Sequence, residues 1–221
     1  MSEFYFKLSD IVFMLRGAAI TLGLVCIAII IGGVIGFFVG IIRSCTRNRI
    51  IRSVLAVYVE FFRSTPLLLQ IFLVFFALPL IGIEVKAIWA ASLSLGLYTG
   101  SYMSEIVRAG ISAIDRVQWN SGAALAMTFW QQLYYVILPQ ALRIMIPPSI
   151  GFLVGLVKDS SLVSIIGFME LTRISRLISD RTMQPLLVFT ITGIIYFIIC
   201  YPLAVWGRRM EIRLSKGVKK P

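Results

Sequence analysis

Residues 17–42 read GAAITLGLVCIAIIIGGVIGFFVGII, an uncharged run of twenty-six. As a helix it rises about 39 Å, more than the roughly 30 Å hydrocarbon core of a bilayer. Comparable apolar stretches occupy 54–81, 87–107, 144–168 and 185–206. With 59% hydrophobic and only 14% charged residues in a chain of 221, the solvent for most of the molecule is lipid. Backbone N–H and C=O groups find no water in hydrocarbon, and these runs lack the alternation of a barrel strand, so helices are expected. The reading is all-α: an integral membrane helical bundle with five transmembrane helices per subunit.

The formal net charge of +11 has meaning only through its distribution. Placing 43–52, 108–143 and the tail in the cytoplasm gathers thirteen Lys and Arg there against Asp115 and Glu211, while elsewhere the signs nearly balance. By the positive-inside rule the N-terminus lies outside and the C-terminus is cytoplasmic, as five spans require. The charge is then a topology signal, and nucleic acid is not an expected partner. The first ten residues are mixed in charge and the run after them is too long for a signal peptide, which reads as an uncleaved first helix. Cys26, Cys45 and Cys200 are scattered, and with no histidine they form neither a disulfide framework nor a metal-ligand pattern.

Segment 108–143 is long for a connection in a helical bundle, and such connections tend to carry function. Within it 118–127 is rich in Ala, Gly and Ser and follows Asp115, a helix-capping residue, so a short helix on the cytoplasmic surface is expected. Ser121-Gly122-Ala123-Ala124 presents little bulk, and Trp119, Phe129 and Trp130 flank it. Both a docking surface and a helix lying in the membrane interface fit these residues. Segment 170–184 carries both charge signs, ends at Pro185 and reads as a solvated loop. The chain shows no internal repeat, so a second subunit must supply the other half of a symmetric transporter.

Ionisable groups deep in a span cost on the order of 2.5 to 3.5 kcal/mol each and need a reason. Glu60 and Arg63 share a helix face, and Ser64-Thr65-Pro66 follows at once. Proline breaks the helix there, which leaves either polar groups aimed at a cavity or a kink satisfied by Ser64 and Thr65. Lys158-Asp159-Ser160-Ser161 lies about 21 Å of helix beyond Ile144, around mid-bilayer. Neighbours in sequence point about 100° apart, so Lys158 and Asp159 do not simply cancel. Their partners are a zwitterionic substrate, Glu60 or Arg63, a second subunit, or a packing ion pair. Glu105 and Arg108, again three apart, read as a gate or loop anchor. No phosphate-binding loop or histidine occurs anywhere, so this chain is not expected to hydrolyse ATP and the driving force must enter through 108–143.

Four ordered blocks also resemble a known family, the permease subunits of polar amino-acid ATP-binding-cassette importers of the histidine, glutamine and arginine type. Phe62-Arg63-Ser64-Thr65-Pro66-Leu67-Leu68-Leu69-Gln70 is similar to F-R-G-T-P-L-L-x-Q, with Ser64 in place of glycine. Tyr98 to Gly110, with Glu105 and Arg108 in register, resembles Y-x-x-x-x-x-x-E-x-x-R-x-G. Gln118 to Met127, followed by Leu138-Pro139-Gln140-Ala141-Leu142-Arg143, is similar to the cytoplasmic E-A-A loop that docks on the ATPase. It departs at Asn120 for glutamate, Ser121 and Gly122 for alanines, and Ala126 for glycine. Lys158-Asp159-Ser160-Ser161-Leu162 resembles K-D-T/S-S-L.

The resemblance implies a dimer of permeases, identical or similar, two cytoplasmic ATPases and an extracytoplasmic solute-binding protein, in the bacterial inner membrane. This chain would need no cofactor, ATP and Mg being bound by the ATPase. Arg63, Ser64, Thr65, Glu60, Lys158, Asp159, Ser160 and Ser161 would form or border the substrate pathway. Asn120, Ser121, Gly122, Ala123, Ala124, Ala126 and Met127 would couple to the ATPase. The alternative is an ATP-independent channel or proton-coupled amino-acid carrier using Glu60, Glu105 and Asp159 as relay groups.

Overall fold

Asp10 accepts a hydrogen bond from the Lys7 backbone N–H at 2.8 Å and so starts α1, Leu8–Cys45. In the computed structural model, which describes residues 5–215, the backbone turns at Thr46, and the Asn48 side chain caps α2 (Arg49–Ser64) by accepting from the N–H of Ile50 and Ile51. Thr65 is extended ahead of Pro66, and α3 (Leu67–Leu80) leaves at 106° to α2. After it come α4 (Ala87–Ser112) and α5 (Arg116–Ala124), the latter capped by Asp115 Oδ1 on the Val117 N–H at 2.9 Å. Next are α6 (Phe129–Ile166), α7 (Leu171–Thr182) and α8 (Pro185–Ser215). No strand occurs among the described residues.

The most extensive contact joins α1 and α4, which run parallel. Gly32 faces Gly96 and Thr99, Gly36 faces Gly100 and Ser104, and Gly40 faces Ser104 and Val107. A Cβ on Gly36 would sit 2.8 Å from the Gly100 carbonyl oxygen and one on Gly40 2.7 Å from that of Ser104. Small residues one helical turn apart thus let two backbones touch, where lipid provides no hydrophobic drive and packing must hold the pair. The Ser and Thr of this seam dilute the apolarity of α4. Among the described residues α1, α6 and α8 are long and apolar enough to cross a membrane, and the bent pair α2–α3 makes a fourth if it is one span.

The break expected at Pro66 is present: its pyrrolidine ring removes a donor and excludes helical geometry at Thr65, so segment 54–81 forms two helices. Two other sequence expectations need correction. Segment 108–143 is not one long loop, because α4 continues to Ser112 and α6 already begins at Phe129, leaving only 113–115 and 125–128 around α5. Finally, 170–184 is not a solvated loop but contains α7. Its Leu171, Ile174 and Ile178 pack on Met14 and Ala18 of α1 and Val188 of α8. Glu170, fully buried, caps α7 by accepting the Arg173 N–H at 2.8 Å, and the hydroxyls of Thr21 (3.3 Å) and Tyr196 (3.2 Å) donate to its other oxygen. Burial pushes its carboxyl above the ordinary range, although these donors pull the other way. Arg181 ties the far end of α7 to Asp10 at 2.6 Å.

Gly36→Ala should lower the melting midpoint of the detergent-solubilised protein, a loss of about 1–3 kcal/mol by overpacking. Gly23→Ala, where nothing lies within 4 Å of the added Cβ, should leave it unchanged or slightly raised. Equal effects at the two positions would contradict the seam.

Candidate functional site

Proline at 66 frees carbonyls at the end of α2, and Gln70 answers them. Its amide nitrogen donates toward Phe62 O at 2.9 Å, Thr65 O at 3.1 Å and Thr65 Oγ1 at 2.9 Å, while Thr65 Oγ1 itself donates to Phe61 O at 2.7 Å. Gln70 is only 3% exposed, so this clip is built into the core. The break is therefore a fixed corner whose freed carbonyls are met internally, although Gln70 Oε1 is buried without a partner among the described residues, and Thr65, read from sequence as a pathway residue, has its hydroxyl engaged. Ser64 remains exposed.

The corner presents the last turn of α2 to α4. Tyr58 OH donates to Leu97 O at 2.9 Å and Val59 is fully buried, which seats the helix. Arg63 then lies over the Tyr102 ring, 5.4 Å from its centre, and pairs loosely with Glu60 at 3.9 Å, both side chains open to solvent. Tyr102 stacks on Phe152 of α6 at 5.0 Å and meets Tyr98 at 4.7 Å. Asp159, half-buried, is within electrostatic reach of the Tyr98 hydroxyl. An aromatic wall from two helices thus carries a guanidinium toward one end and a carboxylate toward the other. Lys158 is exposed and sits on the Cys200 side of α6. Neither Lys158 nor Asp159 forms an ion pair among the described residues. Ser160 is fully buried and donates to Val157 O at 2.7 Å, so it faces the bundle, while Ser161 is half-buried.

Across the molecule α5 rests on the start of α6. Gly122 is buried there, a Cβ at that position falling 2.8 Å from Gln132 Cγ, and Gln132 Nε2 donates to Met127 O at 2.9 Å. Trp119 stacks on Phe129 at 5.8 Å. The outer surface is Asn120, Ser121, Ala123 and Ala124, with Leu125 76% exposed beside them. Ala126 holds a left-handed φ of +54°, the conformation that favours glycine and the place where the resemblance expects one. Glu105 pairs with Arg108, as its spacing implies, and also with Arg43 at 3.0 Å. Arg43 is 8% exposed and closes the end of the α1–α4 seam, so it belongs to the packed bundle and not to the basic loop.

Three positions that hold the site's framework escaped sequence reading: Arg43, Glu170 and the role of Gln70. Gln70 sits four residues after a proline that frees carbonyls, and that is the signal for its partner. Arg43 could be traced only through Glu105, sixty-two residues away.

The model of one transport family, the binding-protein-dependent transport system inner membrane component, matches residues 28–216. The chain belongs to that family. It is 32% identical over 206 residues to the probable amino-acid ABC transporter permease protein YckA of Bacillus subtilis, covering 93% of this chain and 91% of that one. It is 34% identical to the arginine transport system permease protein ArtQ of the same organism, covering 97% and 98%. A crystal structure described as an amino acid ABC transporter with histidines superposes with a TM-score of 0.86 at 30% identity over 95% of this chain and 99% of that one. The molecule is thus a permease subunit of an ABC transporter in the inner membrane, and the features above are parts of a permease.

Gln70→Leu removes the clip while keeping the side chain's bulk. It should cost about 1–3 kcal/mol through unpaired carbonyls and open the corner at residues 64–66 to protease. An unchanged melting midpoint and digestion pattern would refute a fixed corner.

Proposed function

We propose that this permease, paired with an identical or similar subunit, forms the translocation pathway of an ATP-driven importer of polar amino acids. The supporting observation is the aromatic wall of Tyr98, Tyr102 and Phe152, with Arg63 toward one end and Asp159 toward the other. An α-amino acid at neutral pH carries a carboxylate and an ammonium group, which such a pair of charges can meet, while the rings cover its apolar atoms. Glu60, Ser64, Lys158 and Ser161 border the route. The names of the relatives, amino-acid and arginine permeases, support the same class.

In this reading five spans cross the membrane with the N-terminus outside, α2–α3 and α4 supplying the second and third. A solute-binding protein delivers the amino acid, and two ATPases holding ATP and Mg dock from the cytoplasm on Asn120, Ser121, Ala123 and Ala124, with Leu125 as a knob. Asn120 lacks the charge of the family glutamate, so contact there rests on shape and apolar area. Coupling follows from α6. It begins under α5, locked by Gln132, and runs unbroken past Asp159, about 45 Å away. Closing the ATPases would push α5 and tilt this one helix, moving Asp159 relative to Arg63 and alternating access to the wall.

In proteoliposomes containing the complete transporter, Asp159→Ala should reduce uptake about tenfold or more while subunit levels stay constant. Uptake and substrate dependence equal to wild type would remove Asp159 from the pathway. Docking is tested at Ala123, whose side chain is exposed. Ala123→Trp should abolish co-purification of the ATPase, and an intact assembly would count against the α5 surface. Gly122 is unsuitable for that test, because any side chain there strikes Gln132 and disturbs folding first.

A further inference from the structure

An apolar groove of about 340 Å³ runs where α1, α4, α6 and α8 meet, with Gly33, Phe37, Met103, Met145, Ser149 and Trp206 among its walls. Ser149 gives its hydroxyl to Met145 O at 2.8 Å, so this polar side chain in the groove has its donor engaged. A polar amino acid would lose its hydration here and gain little, and the groove is therefore separate from the Arg63–Asp159 wall.

One end of the groove is strongly basic. Helices α6 and α8 are antiparallel: Gly207 touches Ile150, and Cys200 lies within electrostatic reach of Lys158. Continuing that register past Trp206 brings Arg213 level with Arg143 and Ile144, beside Leu142, where the groove ends. Arg143, Arg208, Arg209 and Arg213 are all exposed and form no ion pair among the described residues, although Glu211 lies in the same stretch. Trp206, 52% exposed, precedes Arg208 and Arg209 on α8 as an interfacial aromatic, about two turns before Arg213.

We propose that the groove is a site for an anionic glycerophospholipid of the cytoplasmic leaflet, one acyl chain lying along Phe37, Met103 and Met145 and the phosphate held by Arg143 and Arg213. An acyl chain matches the dry lining, and a negatively charged headgroup matches guanidiniums that form no ion pair among the described residues. The absent side chain of Gly33 keeps the groove open: nothing lies within 4 Å of a Cβ placed there. The assignment to the cytoplasmic leaflet rests on the orientation proposed above, whereas the groove and its charge do not.

The test uses the whole transporter, exchanged from vesicles of phosphatidylglycerol and phosphatidylcholine into mild detergent, with retained phospholipid per complex measured by mass spectrometry. Wild type should retain phosphatidylglycerol in preference to phosphatidylcholine. Gly33→Leu fills the groove and should lose it. Arg143→Gln and Arg213→Gln should each weaken retention about fivefold. Arg52→Gln, on α2 and away from the groove, should not. Undiminished retention in Gly33→Leu, or equal retention of the two lipids, would overturn the proposal. So would disulfide cross-linking of two Ser149→Cys permeases, which would make a second copy the occupant. Labelling of Ser112→Cys, at the exposed C-terminal end of α4 in a chain otherwise free of cysteine, by an impermeant reagent checks orientation separately. Labelling from the outside would overturn the leaflet assignment while leaving the retention result to judge the groove.

Discussion

The close approach of α1 and α4 is the constraint on which the other elements depend. In lipid, two apolar helices gain nothing from burying apolar surface, so what holds them is contact between their own atoms. Gly32, Gly36 and Gly40 on one side and Gly96, Gly100 and Ser104 on the other bring the backbones within van der Waals distance over two turns. Arg43 and Glu105 pin the seam at its end. Once that pair is rigid, α2 has a surface on which Tyr58 can seat, α6 packs across α4 through Met145 and Gly110, and α7 closes over the start of α1 at Gly17.

Two further features position the candidate site on this scaffold. The corner at Pro66 is stiffened by Gln70, so the turn carrying Glu60 and Arg63 keeps its aim at Tyr102. The continuity of α6 then joins the α5 surface to Asp159 within a single element. In the coupling proposed above, this helix would carry a push on α5 toward Asp159, which a flexible connection of thirty-odd residues would absorb. Pro147 and Pro148 lie inside this helix, and each removes one backbone donor between its two ends.

Much of this was legible along the chain. Uncharged runs longer than a bilayer is thick allow only helices, and the Asp115 cap, the break at Pro66 and the pairing of Glu105 with Arg108 follow from neighbours within a few residues of one another. The solvated-loop reading of 170–184 failed because its two charge signs suggested exposure. What decided the matter was the three-four spacing of Leu171, Ile174 and Ile178, which needs a partner surface before it means burial. Hydrophobicity marked 54–81 as one apolar stretch and the proline marked its break, but the 106° between the two halves is a tertiary fact, because hydrophobicity measures what lipid tolerates and says little about direction.

The candidate site divides in the same way. Residue type and order along the chain determined that this is a helical membrane protein and which charged groups require a reason for their placement. The tertiary structure alone decided who those partners are. Arg63 found a ring thirty-nine residues on, Arg43 found Glu105, Glu170 went inside, and Ser160 turned toward the bundle. The physical reason is that capping, helix breaking and side-chain spacing act within a turn or two of helix, whereas the pairing of distant charges is set by which backbones can touch, and in lipid that depends on how small facing residues mesh in three dimensions.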